Sequence, residues 1–288
     1  MGCTMKQPDP AGSNCAAMTE TGAIDFIAAW RAALLHRRDA RIDAAADRAF
    51  WEGYARVYDD RTAMPGSYDR TLAALAALVR PTDTLLDVGA GTGRFALPLA
   101  RHVRAVTALD YSPAMLALLV KRAHDAGVTN IAILEDALET MTVPPHDVVL
   151  AAWSLYRQVD IAAALTALVR ATTRTLVIAA SDTAQAPHHP FLLDSWGRHG
   201  EPEYPAYLYL LGALRQLGYR ADLRVLWETR SIVAPTRREV AKSLIPQDAS
   251  QDDADRFIAM LRPLFEETDE GWHYHDTVPV NLLVWQRS

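Results

Sequence analysis

Leu85-Leu86-Asp87-Val88-Gly89-Ala90-Gly91-Thr92-Gly93-Arg94 sets an acid and three alternating glycines between a short apolar run and a helical stretch. Glycine at such a junction accepts positive φ and lets backbone amides approach a ligand closely. The following helix N-terminus adds partial positive charge, which suits a carboxylate as well as a phosphate. The dinucleotide fingerprint requires glycine at the first, third and sixth positions, and counting from Gly89 the sixth is Arg94, so that reading fails.

Around this loop, short apolar runs alternate with helical stretches, the pattern of an α/β protein with a parallel sheet and crossover helices. The runs are Thr84 to Val88, Ala105 to Leu109, Ile131 to Leu134, Val148 to Ala152 and Thr175 to Ala180. Ser112-Pro113 predicts an N-cap and first-turn proline for a helix through Met115 and Leu119, ended at Gly127. Further on, strands are expected near Leu223 to Trp227 and Val278 to Trp285. Between them lies a helical insertion, 235–268, opened by a Thr236/Glu239 capping box. Upstream, 1–20 reads as a disordered tail and 21–80 as an N-terminal helical cap carrying Trp30, Phe50, Trp51, Tyr54 and Tyr58.

Two further acids follow the glycine loop in register. Asp110 closes the second run in Leu109-Asp110-Tyr111-Ser112, about 20 residues on, where a carboxylate can accept ribose hydroxyls. Asp136 follows the third run in Glu135-Asp136-Ala137. Three elements, each at the carboxyl end of a successive strand, together resemble the class I S-adenosylmethionine-dependent methyltransferases over residues 84 to 180. The resemblance implies a doubly wound, mostly parallel seven-stranded sheet whose antiparallel last strand lies between strands five and six. It implies S-adenosylmethionine as cofactor, with Asp87, Gly89, Ala90, Gly91 and Gly93 at the methionine end and Asp110 on the ribose. Asp136 and the Ala137 amide then meet the adenine, Tyr111 and Met115 pack against it, and Trp153 borders the cofactor.

Residues after the fourth and fifth strands are expected to face the acceptor: Ser154, Tyr156 and Arg157, then Ser181, Asp182, His188 and His189. Trp272-His273-Tyr274-His275 is expected just before the last strand at the same rim, with His273 and His275 on one face. Tyr156, His188 and His273 are the candidate base or orienting groups, and the imidazoles are also weighed as a metal site, although no metal is assigned. No Asn/Asp-Pro-Pro-Tyr pattern follows strand four, which disfavours base methylation.

Composition sets the remaining bounds. A chain of 288 residues can bury a sizeable core without staples. Its net charge of -6 disfavours a polyanion partner. Cys3 and Cys15 look like tail thiols, and no apolar run spans a membrane, so a cytoplasmic protein acting on a small molecule is expected. A non-catalytic cofactor-binding module, and an enzyme acting on protein or RNA, remain as alternatives, and the oligomeric state stays open.

Overall fold

The computed structural model describes residues 23–36, 44–62, 68–181, 205–244 and 250–287. The expected tail, His188, His189 and most of the Pro, His and Trp-rich stretch before Pro205 lie outside the described residues. In chain order come α1 (Phe26–His36), α2 (Ala44–Thr62), α3 (Asp69–Ala76), β1 (Thr84–Val88), α4 (Ala96–Leu99), β2 (Ala105–Asp110) and α5 (Pro113–Asp125). Then follow β3 (Ile131–Glu135), β4 (His146–Ala152), α6 (Ile161–Arg170), β5 (Thr172–Ser181), α7 (Ala206–Gln216) and β6 (Ala221–Ala234). The C-terminal part holds α8 (Arg237–Leu244), α9 (Gln251–Leu261), β7 (Phe265–Thr268) and β8 (Gly271–Gln286).

The strands run in the order β3-β2-β1-β4-β5-β8-β6. β1 to β5 pair in parallel, and β8 runs antiparallel between β5 and β6. An eighth short strand, β7, adds to the far half of β8 and closes the insertion, so 235–268 is two helices and a strand. Alternation along each parallel strand feeds two separate cores, as a sheet covered on both faces requires. Leu86, Val149 and Ile178 pack with α1, α6 and α7, whereas Leu85, Val148 and Val177 pack with α3, α4 and α5.

The N-terminal helices do not form one cap. α1 lies under the sheet against α6 and α7, with Trp30 fully buried. A Cβ on Gly212 would come within 2.2 Å of the Phe26 ring, so the small residue permits that close packing. α3 packs on the opposite face against β6 and α4, where buried Glu228 accepts the Thr71 amide and the Arg70 amide at 3.3 Å. Only α2 remains at the rim, against α5. The division follows burial: α1 carries a whole apolar face, whereas the apolar residues of α2 are grouped at Phe50, Trp51 and Tyr54.

Local signals behave as their chemistry dictates. The Ser112 hydroxyl accepts the Met115 amide at 3.4 Å. Thr236 and Glu239 cap each other, through Thr236 N to Oε2 at 3.1 Å and Glu239 N to Oγ1 at 3.2 Å. β6 and β8 are much longer than expected, pairing from Ala221–Trp285 to Ala234–Trp272. Among the described residues β8 pairs with β5 as far as Val280, and the remainder forms with β6 a ribbon that shares a third core with α8 and α9 around Phe257, Leu261 and Tyr274. No helix among the described residues is long and apolar enough to cross a membrane.

Candidate active site

The carboxyl ends of β1, β2, β3 and β4 open onto a cavity of about 920 Å³. Its lining includes Asp87, Gly89, Ala90, Gly91, Asp110, Tyr111, Met115, Asp136, Ala137, Trp153 and Tyr156, so the expected set converges apart from Gly93 and His273, with His188 outside the described residues.

The glycines have distinct physical reasons. Gly89 has φ 75°, and a Cβ there would meet Ser154 Cβ at 2.4 Å, so the loop is pressed against the chain leaving β4. Gly91, at φ 55°, has no atom within 4 Å of a Cβ position and is open to the cavity. Gly93 is not among the residues lining the cavity: its Cβ would meet Leu97 and Leu119 at 2.9 Å, so the glycine permits close helix packing there.

Asp110 braces this loop by accepting the Gly91 amide at 2.8 Å and the Ser112 amide at 2.9 Å. Burial raises its pKa, while the Ser112 and Gly91 amides and the nearby Arg48 oppose the rise. Asp87 is more deeply buried, and desolvation together with the Asp110 charge pushes its pKa up to about 7. Asp136 accepts the Thr140 hydroxyl at 2.6 Å and its neighbour's amide, Ala137 N, at 2.8 Å. The Ala137 amide expected to face a ring is thus held by Asp136.

Aromatic side chains close one wall. Trp153, at φ 52°, stacks on Phe95 with ring centroids 5.7 Å apart and lies 4.7 Å from Tyr68, all three lining the cavity. Ser154 adds a buried hydroxyl with no hydrogen-bond partner.

Sequence reasoning missed how α2 engages this rim. Asp47 accepts the Tyr111 hydroxyl and ion-pairs with Arg157 at 2.9 Å. Arg48 donates to the Tyr111 carbonyl at 2.7 Å, with its guanidinium 5.5 Å from the ring centre. Burial, then the hydrogen bond to Asp47, raises the Tyr111 pKa far above the phenol range. The available signal was a charged pair one turn before Phe50 and Trp51.

His273 does not reach the cavity. It lies within β8 rather than before it, paired with Val233 and Glu266, seven positions beyond Val280 or roughly 23 Å along the strand at 3.3 Å per residue. His273 and His275 do share a face, but Tyr274, Asp276 and Val278 take the buried one. Its nearest carboxylate is Glu270 at 3.9 Å, and among the described residues no cluster of three or more His, Cys, Asp or Glu could hold a metal ion.

Residues 85–175 match a family of proteins described as methyltransferase domain. An uncharacterized protein of Haemophilus influenzae is 30% identical over 184 residues, spanning 63% of this chain and 67% of that protein. The mitochondrial ribosomal RNA small subunit methyltransferase of Arabidopsis thaliana is 36% identical over 75 residues, 25% of this chain but 20% of that enzyme. Among solved structures, an S-adenosylmethionine-dependent methyltransferase from Thiobacillus denitrificans, in complex with S-adenosyl-L-homocysteine, superposes with a TM-score of 0.51. It is 14% identical and aligns with 81% of this chain and 98% of its own.

Proposed function

We propose that the chain, whose residues 85–175 match a methyltransferase domain, is a class I S-adenosylmethionine-dependent methyltransferase that methylates a small molecule held beside that cofactor. The observation that carries this reading is the convergence of Asp87, Asp110 and Asp136, each from a different strand end, on one cavity behind a glycine loop. The residues present fit the cofactor. Gly91 leaves the space that a side chain would fill, and the acids and the Trp153, Phe95 and Tyr68 rings suit a cationic ligand.

In this reading the Gly89 to Gly91 backbone and Asp87 hold the methionine end, Asp110 the ribose, and Asp136, braced by the Ala137 amide, the adenine, between Tyr111 and Met115. Bound, the cofactor supplies an electrophilic methyl carbon on a sulfonium. The chain's own task is alignment, which can contribute about 7–11 kcal/mol of barrier lowering. Trp153 and Ser154 form the wall on the acceptor side, and Tyr156 is the remaining candidate for orienting or deprotonating an acceptor hydroxyl or ammonium. α2, latched through Asp47 and Arg48, lines one side of the opening with Ala45, Asp47, Arg48 and Trp51. An acid-lined cavity supports a small acceptor rather than RNA, and the likeness to a ribosomal RNA enzyme runs over 75 residues only.

A labelled-methyl transfer assay on a metabolite extract, with the product identified by mass, tests the proposal. Transfer to a small molecule is expected. Label found only in protein or RNA, or cofactor binding without any transfer, would replace it with one of those readings.

The state of Asp87 gives a pH dependence. With the folded pKa raised from 3.8 to about 7, this group contributes most to stability below the unfolded value, and that contribution is lost as pH rises through 7. A cationic ligand has the opposite preference, for the carboxylate. Affinity for S-adenosylmethionine is therefore expected to rise about tenfold from pH 6 to pH 8, since about a tenth of Asp87 is ionised at pH 6. Calorimetric titrations at both values check this, and a flat profile would uncouple Asp87 from the ligand.

A further inference from the structure

We infer that the methyl acceptor carries a carboxylate and that Arg157 is the group that recognises it, an inference that rests on the assignment of this cavity to methyl transfer. Three arginines line the cavity. Arg48 donates to the Tyr111 carbonyl, and Arg94 lies over the Tyr68 ring at 4.9 Å. Arg157 differs: its side chain is only 16% exposed, yet Nε and Nη1 are buried without a hydrogen-bond acceptor.

The neighbours of Arg157 hold it while leaving Nε and Nη1 without a directed acceptor. Its guanidinium lies 5.8 Å from the Phe50 ring centre and 5.1 Å from that of Tyr156. Asp47 stands 2.9 Å from Nη1, but the geometry is that of an ion pair and not of a directed hydrogen bond. Asp47 also accepts the Tyr111 hydroxyl, so its charge is shared. A buried guanidinium held rigid with unmade hydrogen bonds is unfavourable unless a ligand supplies the acceptors. Three residues before it, the Ser154 hydroxyl is a second buried donor in the same lining without a partner.

The charge of the cavity selects among anions. Asp87, Asp110, Asp136, Glu139 and Asp160 line it together with the three arginines, and Asp47 already offsets Arg157 in part. Such a site tolerates one added negative charge better than two, which favours a carboxylate over a phosphate ester. A planar carboxylate also matches the planar donor array of a guanidinium, which an ammonium does not provide.

The test divides a metabolite extract on an anion-exchange resin and assays labelled-methyl transfer in both fractions. The acceptor is expected in the retained fraction and is expected to survive alkaline phosphatase. With that fraction as substrate, Arg157→Gln should raise the apparent KM about 30-fold, as for loss of one partner of a buried charged hydrogen bond. Arg157→Lys, which keeps the charge opposite Asp47 and guards against misfolding of the Gln variant, should recover only part of that loss. The dissociation constant for S-adenosylhomocysteine should change less than threefold in both. An acceptor in the unretained fraction, one destroyed by phosphatase, or an unchanged KM overturns the inference while leaving methyl transfer standing. Equal weakening of S-adenosylhomocysteine would assign Arg157 to the cofactor and overturn it as well. Absence of transfer from every fraction removes methyl transfer itself, and the inference with it.

Discussion

Replacing Gly89 with alanine is expected to abolish measurable cofactor binding, a loss of at least a hundredfold, in a chain that still folds. Two effects combine. Alanine at φ 75° carries the left-handed penalty of about 1–2 kcal/mol. Its Cβ would also stand 2.4 Å from Ser154 Cβ, closer than the two can remain, so the loop or the chain after β4 must move. The amides of Gly89 and Ala90 both donate to the Leu109 carbonyl, at 2.8 and 3.0 Å, so displacement carries the whole loop with it. Calorimetry with S-adenosylhomocysteine measures the loss. Adding Ser154→Gly should restore part of the affinity by removing the steric component and leaving the conformational one. Wild-type affinity in the single variant would mean that the loop is not the cofactor site.

The second large effect is at Asp110, where alanine should weaken cofactor binding about a hundredfold. Hydrogen bonds to a charged acceptor contribute about 1.5–3 kcal/mol, and each factor of ten in affinity corresponds to about 1.4 kcal/mol. The variant loses the proposed ribose contacts and also the brace on the Gly91 and Ser112 amides. Global stability should fall little, because removing a buried carboxylate also relieves its desolvation and its repulsion with Asp87. Asp110→Asn, which keeps one acceptor oxygen, should bind with intermediate affinity. An alanine variant with unchanged affinity but a much lower melting temperature would reduce Asp110 to a structural brace.

Much of the cofactor half was legible because its determinants are local. Asp87, Asp110 and Asp136 each stand at or next to the carboxyl end of an apolar run, and strand ends in a parallel sheet necessarily meet at one rim. Ser112 and the Thr236/Glu239 pair were readable because capping depends on neighbours three residues apart. The acceptor half depends on contacts between distant parts of the chain. Asp47 and Arg157 share no local pattern, and only the docking of α2 brings them together. Likewise, the period of two placed His273 and His275 on one face, but which face is buried depends on α8 and α9 packing against Tyr274. The alternation of Tyr274 and Val278 with polar residues was the signal that the strand begins earlier than its most apolar part.

The ribbon beyond Val280 has a consequence for how the chain comes apart. Its buried Ile232 and Tyr274 join Phe257 and Leu261 of α9 and Phe265 of β7 in a core separate from the two that flank the sheet. Elements with separate cores open at separate free energies, so amide protons there exchange with solvent through local opening that leaves the remainder closed. Among the described residues Val280 is the last β8 residue paired with β5, and beyond it β8 is held by β6, by β7 from Tyr274 to Gly271, and by the small core. The distal unit can therefore melt and re-form as a cooperative segment while the cofactor cavity keeps its shape.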